Sequence, residues 1–239
     1  MKKIILFVVI CWWLANANIE AQFGGGTGSQ SNPYQIHTKK HLEELSDSII
    51  FAVTPQWTKM KYVKLMNNIT DTLTTPIGSS GSPFAGYFDG NNHFIIVNLD
   101  FPDSNFIGLF RFLHYGTISN LIVKGFVKGD SRVGGITPYT MGIIDNTFGH
   151  IKNCINLATV EGNSRVGGIL GNGFFSFSVL NCTNLGSVKG NSDVGGIVGW
   201  SFSNVGCITG NRTAQINNCY WDEQMCPPDD YDIDLLENN

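Results

Sequence analysis

Apolar and polar positions change rhythm along this chain. Ile4–Leu14 is an unbroken apolar run of eleven residues behind Lys2 and Lys3. Leu42, Leu45 and Ile49 recur at helical spacing, and Thr38 stands where an N-cap would, predicting one helix over Lys39–Asp47. Elsewhere short β-branched and aromatic pieces are cut by Gly, Asn and Ser, the pattern of short strands and turns. Asn32–Ile36 and Lys61–Ile69 read as strands. Phe84–Leu99 reads as two strands around the turn Asp89-Gly90-Asn91-Asn92.

From residue 120 the pattern repeats. Asn120–Ile136, Asn153–Ile169 and Asn181–Ile197 align without a gap as NLIVKGFVKGDSRVGGI, NCINLATVEGNSRVGGI and NCTNLGSVKGNSDVGGI. A fourth copy begins at Ile216-Asn217-Asn218-Cys219, and successive starts lie 33, 28 and 37 residues apart. Units rich in Val, Ile, Gly, Asn and Ser, without a helical stripe, exclude helical solenoids. A coil of about 30 residues cannot bury its own apolar side, so coils must stack. The expected fold is all-β, a parallel β-solenoid, with glycine pairs bending or closely packing the corners and the helix covering its open mouth.

Stacking in register predicts compatible columns. Val127/Val160/Val188 and Val133/Val166/Val194 are expected inward, as is Leu121/Cys154/Cys182/Cys219, where cysteine serves as a small hydrophobe or, alternatively, pairs with its neighbour. Lys128/Glu161/Lys189 and Arg132/Arg165/Asp193 are expected outward, as weak charge pairs about 4.8 Å apart. Asn120/Asn153/Asn181/Asn218 is expected to form an amide ladder at a turn.

The chain has 239 residues, 42% hydrophobic and 14% charged, with 28 glycines and a net charge of −4. With charged residues well below the usual quarter, uncharged polar groups must supply the surface, while 16 Phe supply a core. No basic cluster follows Lys2-Lys3, so a nucleic-acid footprint is not expected. The basic pair, the apolar eleven and Ala15-Asn16-Ala17, or Ala21 before Gln22, read as a signal peptide over residues 1–21. Eleven apolar residues fall short of the roughly twenty that span a bilayer. The organisation expected is a signal peptide (1–21), a flexible leader (22–31), an N-terminal cap with first coils (32–115), repeat coils (116–222) and an acidic tail (223–239). The protein is expected to be secreted or at the cell surface, with no transmembrane segment.

These features together resemble a known family. Asn32-Pro33-Tyr34-Gln35-Ile36, the following helix, Pro76-Ile77-Gly78, Phe84-x-Gly86-x-Phe88-Asp89-Gly90-Asn91-x-His93, Gly108-Leu109-Phe110 and the Val-Gly-Gly-Ile repeats are similar to GLUG-motif proteins. Gly168-Ile169-Leu170-Gly171 and Gly196-Ile197-Val198-Gly199 are the motif's counterparts; Gly135-Ile136-Thr137-Pro138 departs from it by lacking the last glycine. The resemblance, of Bacteroidetes type, spans residues 32 to about 222. It implies a right-handed parallel β-helix of exported, bacterial, adhesin-like character, with no catalytic motif to carry over. Some members form part of immunoglobulin A1-cleaving metallopeptidases. The His-Glu-x-x-His zinc motif those need is missing, and His37 and His41 carry Thr38 where the glutamate should be.

An alternative is a carbohydrate-active β-helix enzyme of polysaccharide lyase or hydrolase type. Its candidates are Asp130, Arg132, Glu161, Arg165, Lys189 and Asp193, but their carboxylates fall in different columns beside basic partners. Asp229–Asp234 lacks the glycine and terminal glutamate of a calcium loop, and Gly24–Gly28 is not framed as a nucleotide loop. The expectation is therefore a non-enzymatic secreted or cell-surface binding or scaffold protein, with no catalytic, cofactor or metal residues. Its partner would be an extracellular ligand, a glycan or a host or surface protein. Binding would use a lateral face or the insertions Asn172–Ser178 (with Phe174, Phe175 and Phe177) and Trp200–Ala214. An uncovered final coil would invite self-association.

Overall fold

The computed structural model describes residues 23–51, 60–141, 149–174 and 177–201, together with the backbone of 214–217 and 220–221. The class is all-β with one short helix, α1 (Lys39–Ile50). Every strand pairing among the described residues is parallel. Each repeat sends its strands to four sheets in the same order. In the first repeat these are Thr117–Ser119, Ile122–Lys128, Ser131–Gly134 and Thr137–Met141, after which Gly149–Lys152 returns to the first sheet. A parallel neighbour needs a long return connection, and here the rest of the repeat supplies it.

Register follows the repeat. Val127, Val160 and Val188 are Cα partners, as are Val133, Val166 and Val194. The first column and Val133 and Val166 are fully buried, while Val194 packs on the core from its rim. Leu121, Cys154 and Cys182 are also fully buried, and no disulfide joins the two cysteines. Cys207, Cys219 and Cys226 lie outside the described residues. Asn153 Nδ2 donates to Asn120 Oδ1 at 3.0 Å and Asn181 Nδ2 to Asn153 Oδ1 at 3.2 Å, the expected ladder; Asn218 lies outside the described residues.

Stacking begins earlier than the sequence repeat. Tyr87–Asp89 pairs with Thr117–Ser119, and Phe94–Asp100 pairs residue for residue with Ile122–Lys128. Inward positions of this upstream part are aromatic: Phe84, Phe88 and Phe110 form one cluster with centroids 5.0–6.5 Å apart. Asp89 heads the amide ladder, its Oδ1 accepting from Asn120 Nδ2 at 2.9 Å. Lys61–Ile69, expected as one strand, is two: Tyr62–Leu65 and Ile69–Leu73 belong to different sheets because the chain turns a corner between them.

Left-handed corner conformations fall elsewhere than expected. Asn120, Asn153 and Asn181 have φ of 52°, 53° and 51°, and Arg132, Arg165 and Asp193 have φ of 59°, 55° and 52°. The Gly-Gly pairs serve the other role, close approach: a Cβ on Gly135 would sit 2.3 Å from Gly168 O.

Helix α1 starts at Thr38, whose hydroxyl accepts from His41 N at 3.3 Å. Leu42, Leu45 and Ile49 join the same apolar core as the strands. Residues 23–31 correct the expectation of a flexible leader. Gly24 N donates to Gln35 O and Gln35 N to Gly25 O, both at 2.9 Å, and Phe23 packs on Tyr34 at 4.7 Å. The three-glycine run bends back against Tyr34–Ile36, and a Cβ on Gly26 would overlap Pro33 O.

Candidate functional site: a lateral aromatic and arginine groove

Tyr139, Asn172 and Trp200 are register partners on three adjacent strands, Thr137–Met141, Leu170–Phe174 and Val198–Ser201. Beside them, Ser131 pairs with Ser164 and Val133 with Val166, while Arg132 and Arg165 take the left-handed conformation between. That local twist turns both side chains toward the aromatic column. The Arg132 guanidinium lies 4.8 Å from the centre of the Phe106 ring and that of Arg165 lies 4.7 Å from Trp200. Such stacking fixes the planar cation against a hydrophobic face.

The aromatic wall is continuous. Phe112 lies 4.9 Å from Phe106 and 5.6 Å from Tyr139, and Tyr139 lies 6.4 Å from Phe174 with the rings 23° from parallel. Together with Asn172 these residues enclose an open groove of about 500 Å³. Asn172 is only 2% exposed and its Oδ1 has no hydrogen-bond partner. Arg132 Nε is buried and lacks a partner as well. Burial first, then the neighbouring Arg165 cation, holds the Arg132 guanidinium below its usual range. Burial raises Tyr139, an effect the Arg132 charge partly offsets. Asp193 Oδ2 reaches Arg165 Nε at 3.9 Å from the next strand, and among the described residues no carboxylate lines the groove.

The outward residues named from sequence separate into two groups. Arg132 and Arg165 meet in the groove, with Asp193 at its edge. Glu161 instead lies on another sheet, between Lys189 at 3.1 Å and Lys128 at 3.9 Å. The phenylalanines of 172–178 also divide: Phe174 faces the groove and Phe177 is core, while Phe175 lies outside the described residues. Asp229–Asp234 and most of the 200–214 insertion lie outside them too. Sequence reasoning missed Phe106, Phe112 and Tyr139, and reached Asn172 only as the first residue of the 172–178 insertion. One signal was available: Tyr139, Asn172 and Trp200 are spaced by 33 and 28 residues, the repeat offsets.

Other polar clusters carry less chemistry. His41 Nδ1 accepts from His37 N at 3.1 Å, so this histidine pair closes onto its own backbone. Among the described residues no group of three His, Cys, Asp or Glu is arranged to hold a metal ion. His150 Nδ1 and Ser178 Oγ lie 2.6 Å apart, a contact absent from the sequence reading. They are register partners at the 28-residue offset, and Ser178 is buried, so the hydroxyl does not face a substrate. Cys154 and Cys182 are core groups.

No family model matches the chain. A candidate Gly-rich membrane protein of Evansella cellulosilytica is 28% identical over 157 residues, which is 59% of this chain and 17% of that protein. The chain therefore spans about a sixth of that relative's length. The crystal structure of a candidate immunoglobulin A1 protease from Bacteroides ovatus superposes with a TM-score of 0.58 at 20% identity, covering 85% of this chain and 79% of that one. At that identity the likeness is one of fold.

Proposed function

We propose that this chain is a non-enzymatic binding protein of a bacterial surface or its surroundings, built as a right-handed parallel β-solenoid of GLUG-repeat type. The solenoid reading is supported by repeats that pass through four sheets in constant order and pair in parallel at constant register. The resemblance to a membrane-protein relative and the apolar leader Ile4–Leu14 support export. Among the described residues no helix is long and apolar enough to cross a bilayer.

The observation that carries the function is the lateral groove. Aromatic faces present a negative quadrupole that suits the C–H face of a sugar ring, and few polar groups converge on an otherwise apolar wall, the ordinary make-up of a ligand site. Its ligand is an extracellular glycan held without turnover. The hydrolase form of the carbohydrate-active alternative calls for a pair of carboxylates across the substrate; among the described residues Asp193 stands at the groove's edge and is engaged by Arg165. The name of the structural neighbour raises a second enzymatic reading, peptide cleavage, for which the described residues offer no activated nucleophile facing solvent.

The test is a glycan array run with the full chain, following retention and fragment release together, with immunoglobulin A1 incubated in parallel. Retention with intact glycan and intact immunoglobulin supports the reading. Unsaturated or reducing-end fragments, or cleaved immunoglobulin heavy chain, overturn it.

A further inference from the structure

We propose that the groove selects acidic glycans, with a uronate carboxylate held by Arg132 and Arg165 and a sugar hydroxyl held by Asn172. This rests on the glycan-binding reading above and specifies its chemistry.

Three independent features converge on a ligand that is at once anionic, hydroxylated and flat-faced. First, among the described residues two guanidinium groups belong to the lining and no carboxylate does. Asp193 approaches only Arg165, at a long 3.9 Å, and leaves the Arg132 fork open. Guanidinium and carboxylate are geometrically matched, donating two parallel N–H bonds. Second, the groove contains one buried donor and one buried acceptor without partners, Arg132 Nε–H and Asn172 Oδ1. Buried polar groups are almost always paired, so each is an opening for a complementary ligand atom. Carboxylate oxygen accepts from the first and a hydroxyl donates to the second. A single sugar acid supplies both. Third, stacking of Arg132 on Phe106 and of Arg165 on Trp200 holds the cations in place before any ligand arrives, which reduces the ordering cost of binding.

An acidic peptide also carries carboxylates, yet its side chains do not offer a ring face with hydroxyls at the same place. The column Tyr139, Asn172, Trp200 is spaced by the strand repeat of about 4.8 Å, close to the length of one pyranose unit, so successive sugars would meet successive strands.

The experiment is titration calorimetry of the full chain with a galacturonate tetrasaccharide, the same tetrasaccharide with its carboxyls reduced to alcohols, and poly-glutamate. R165Q and R132N are the variants, Asn being compatible with the left-handed backbone at 132; thermal melting checks that each is folded. N172L is a third variant; it removes the side-chain amide, Oδ1 included, and is expected to weaken binding of the acidic and the reduced sugar alike. Galacturonate is expected to bind, the reduced sugar to bind at least about tenfold more weakly, and each arginine variant to lose about tenfold. Affinity should also fall with added salt. Equal binding of acidic and reduced sugars, unaltered by R165Q in a folded protein, overturns the acidic selectivity while leaving glycan binding intact. Poly-glutamate binding without sugar binding, or no binding of any probe, overturns both.

Discussion

Asn156 and Asn184, both buried, are joined side chain to side chain across two repeats, Asn156 Nδ2 donating to Asn184 Oδ1 at 2.8 Å. Each also brackets its own chain two residues on: Asn156 Nδ2 donates to Ala158 O at 2.9 Å and Ala158 N to Asn156 Oδ1 at 3.2 Å. Asn184 does the same with Gly186, at 2.9 and 3.2 Å. The amides therefore satisfy interior backbone groups at a bend where the sheet ladder is interrupted between Ile155–Asn156 and Thr159–Glu161.

Replacing Asn156 by Leu is expected to destabilise the fold by roughly 1–3 kcal/mol, the cost of leaving buried backbone groups unpaired. Urea unfolding measures it. An unchanged midpoint would mean that water or a local shift satisfies Ala158 equally well.

Gly125 has φ of 110°, and a Cβ there would sit 2.0 Å from Val97 O on the paired strand. Gly125→Ala is expected to cost about 3 kcal/mol or more, through backbone strain and separation of the two strands. Gly81, with nothing within 4 Å of its Cβ position, is the control. Gly81→Ala should shift stability by less than about 0.5 kcal/mol. Comparable losses at both sites would sink this account.

Burial lowers the pKa of His114, and burial followed by the Lys152 charge lowers that of His150. Unfolded histidines titrate near 6.5, so on acidification the unfolded chain takes up protons before the folded one. The resulting stability is present above about pH 6.5 and is lost as pH falls through the depressed folded values. Denaturation midpoints should drop between pH 7 and pH 5, and His114→Gln should flatten that slope. A variant that titrates with the parent's slope contradicts the assignment of the effect to His114.

Cys154 and Cys182 are fully buried, their Sγ atoms approaching Lys152 O at 3.3 Å and Leu180 O at 3.4 Å. Peptide-resolved iodoacetamide labelling is expected to leave both unmodified in the native protein and to label both in urea. Rapid native labelling would show that the core opens locally.

The repeat, its inward columns and the helix were legible because side-chain period and repeat offset are written in residue type. Val127, Val160 and Val188 occupy equivalent places in three matching sentences of sequence, and Thr38 begins the helix as its side chain dictates. What escaped was chemistry that depends on backbone hand. Arg132 and Arg165 read as members of a solvated charge column; only their left-handed φ turns them onto Phe106 and Trp200. The upstream part was expected to hold the first coils, but its register with the repeats escaped because Phe84, Phe88 and Phe110 fill the interior with rings where later repeats use aliphatic side chains. Asn156 and Asn184 escaped because period alone places an amide in the core without naming its partners.

The constant register has a consequence for how such a chain can change length. Asn120, Asn153 and Asn181 share backbone conformation, amide partner and strand order, so each repeat presents upward the same surface that it receives from below. Removing residues 153–180 as a block would join Lys152 to Asn181 and restore the junction Lys152 already makes with Asn153. Duplicating the block would likewise keep the backbone register, with one new like-charge contact where Glu161 stacks on its own copy instead of on a lysine. A change of length by whole repeats thus keeps the register of the columns, whereas a deletion of a few residues inside one repeat displaces every column after it. The lateral groove would change with the stack, because the block 153–180 carries Arg165, Asn172 and Phe174 of its lining.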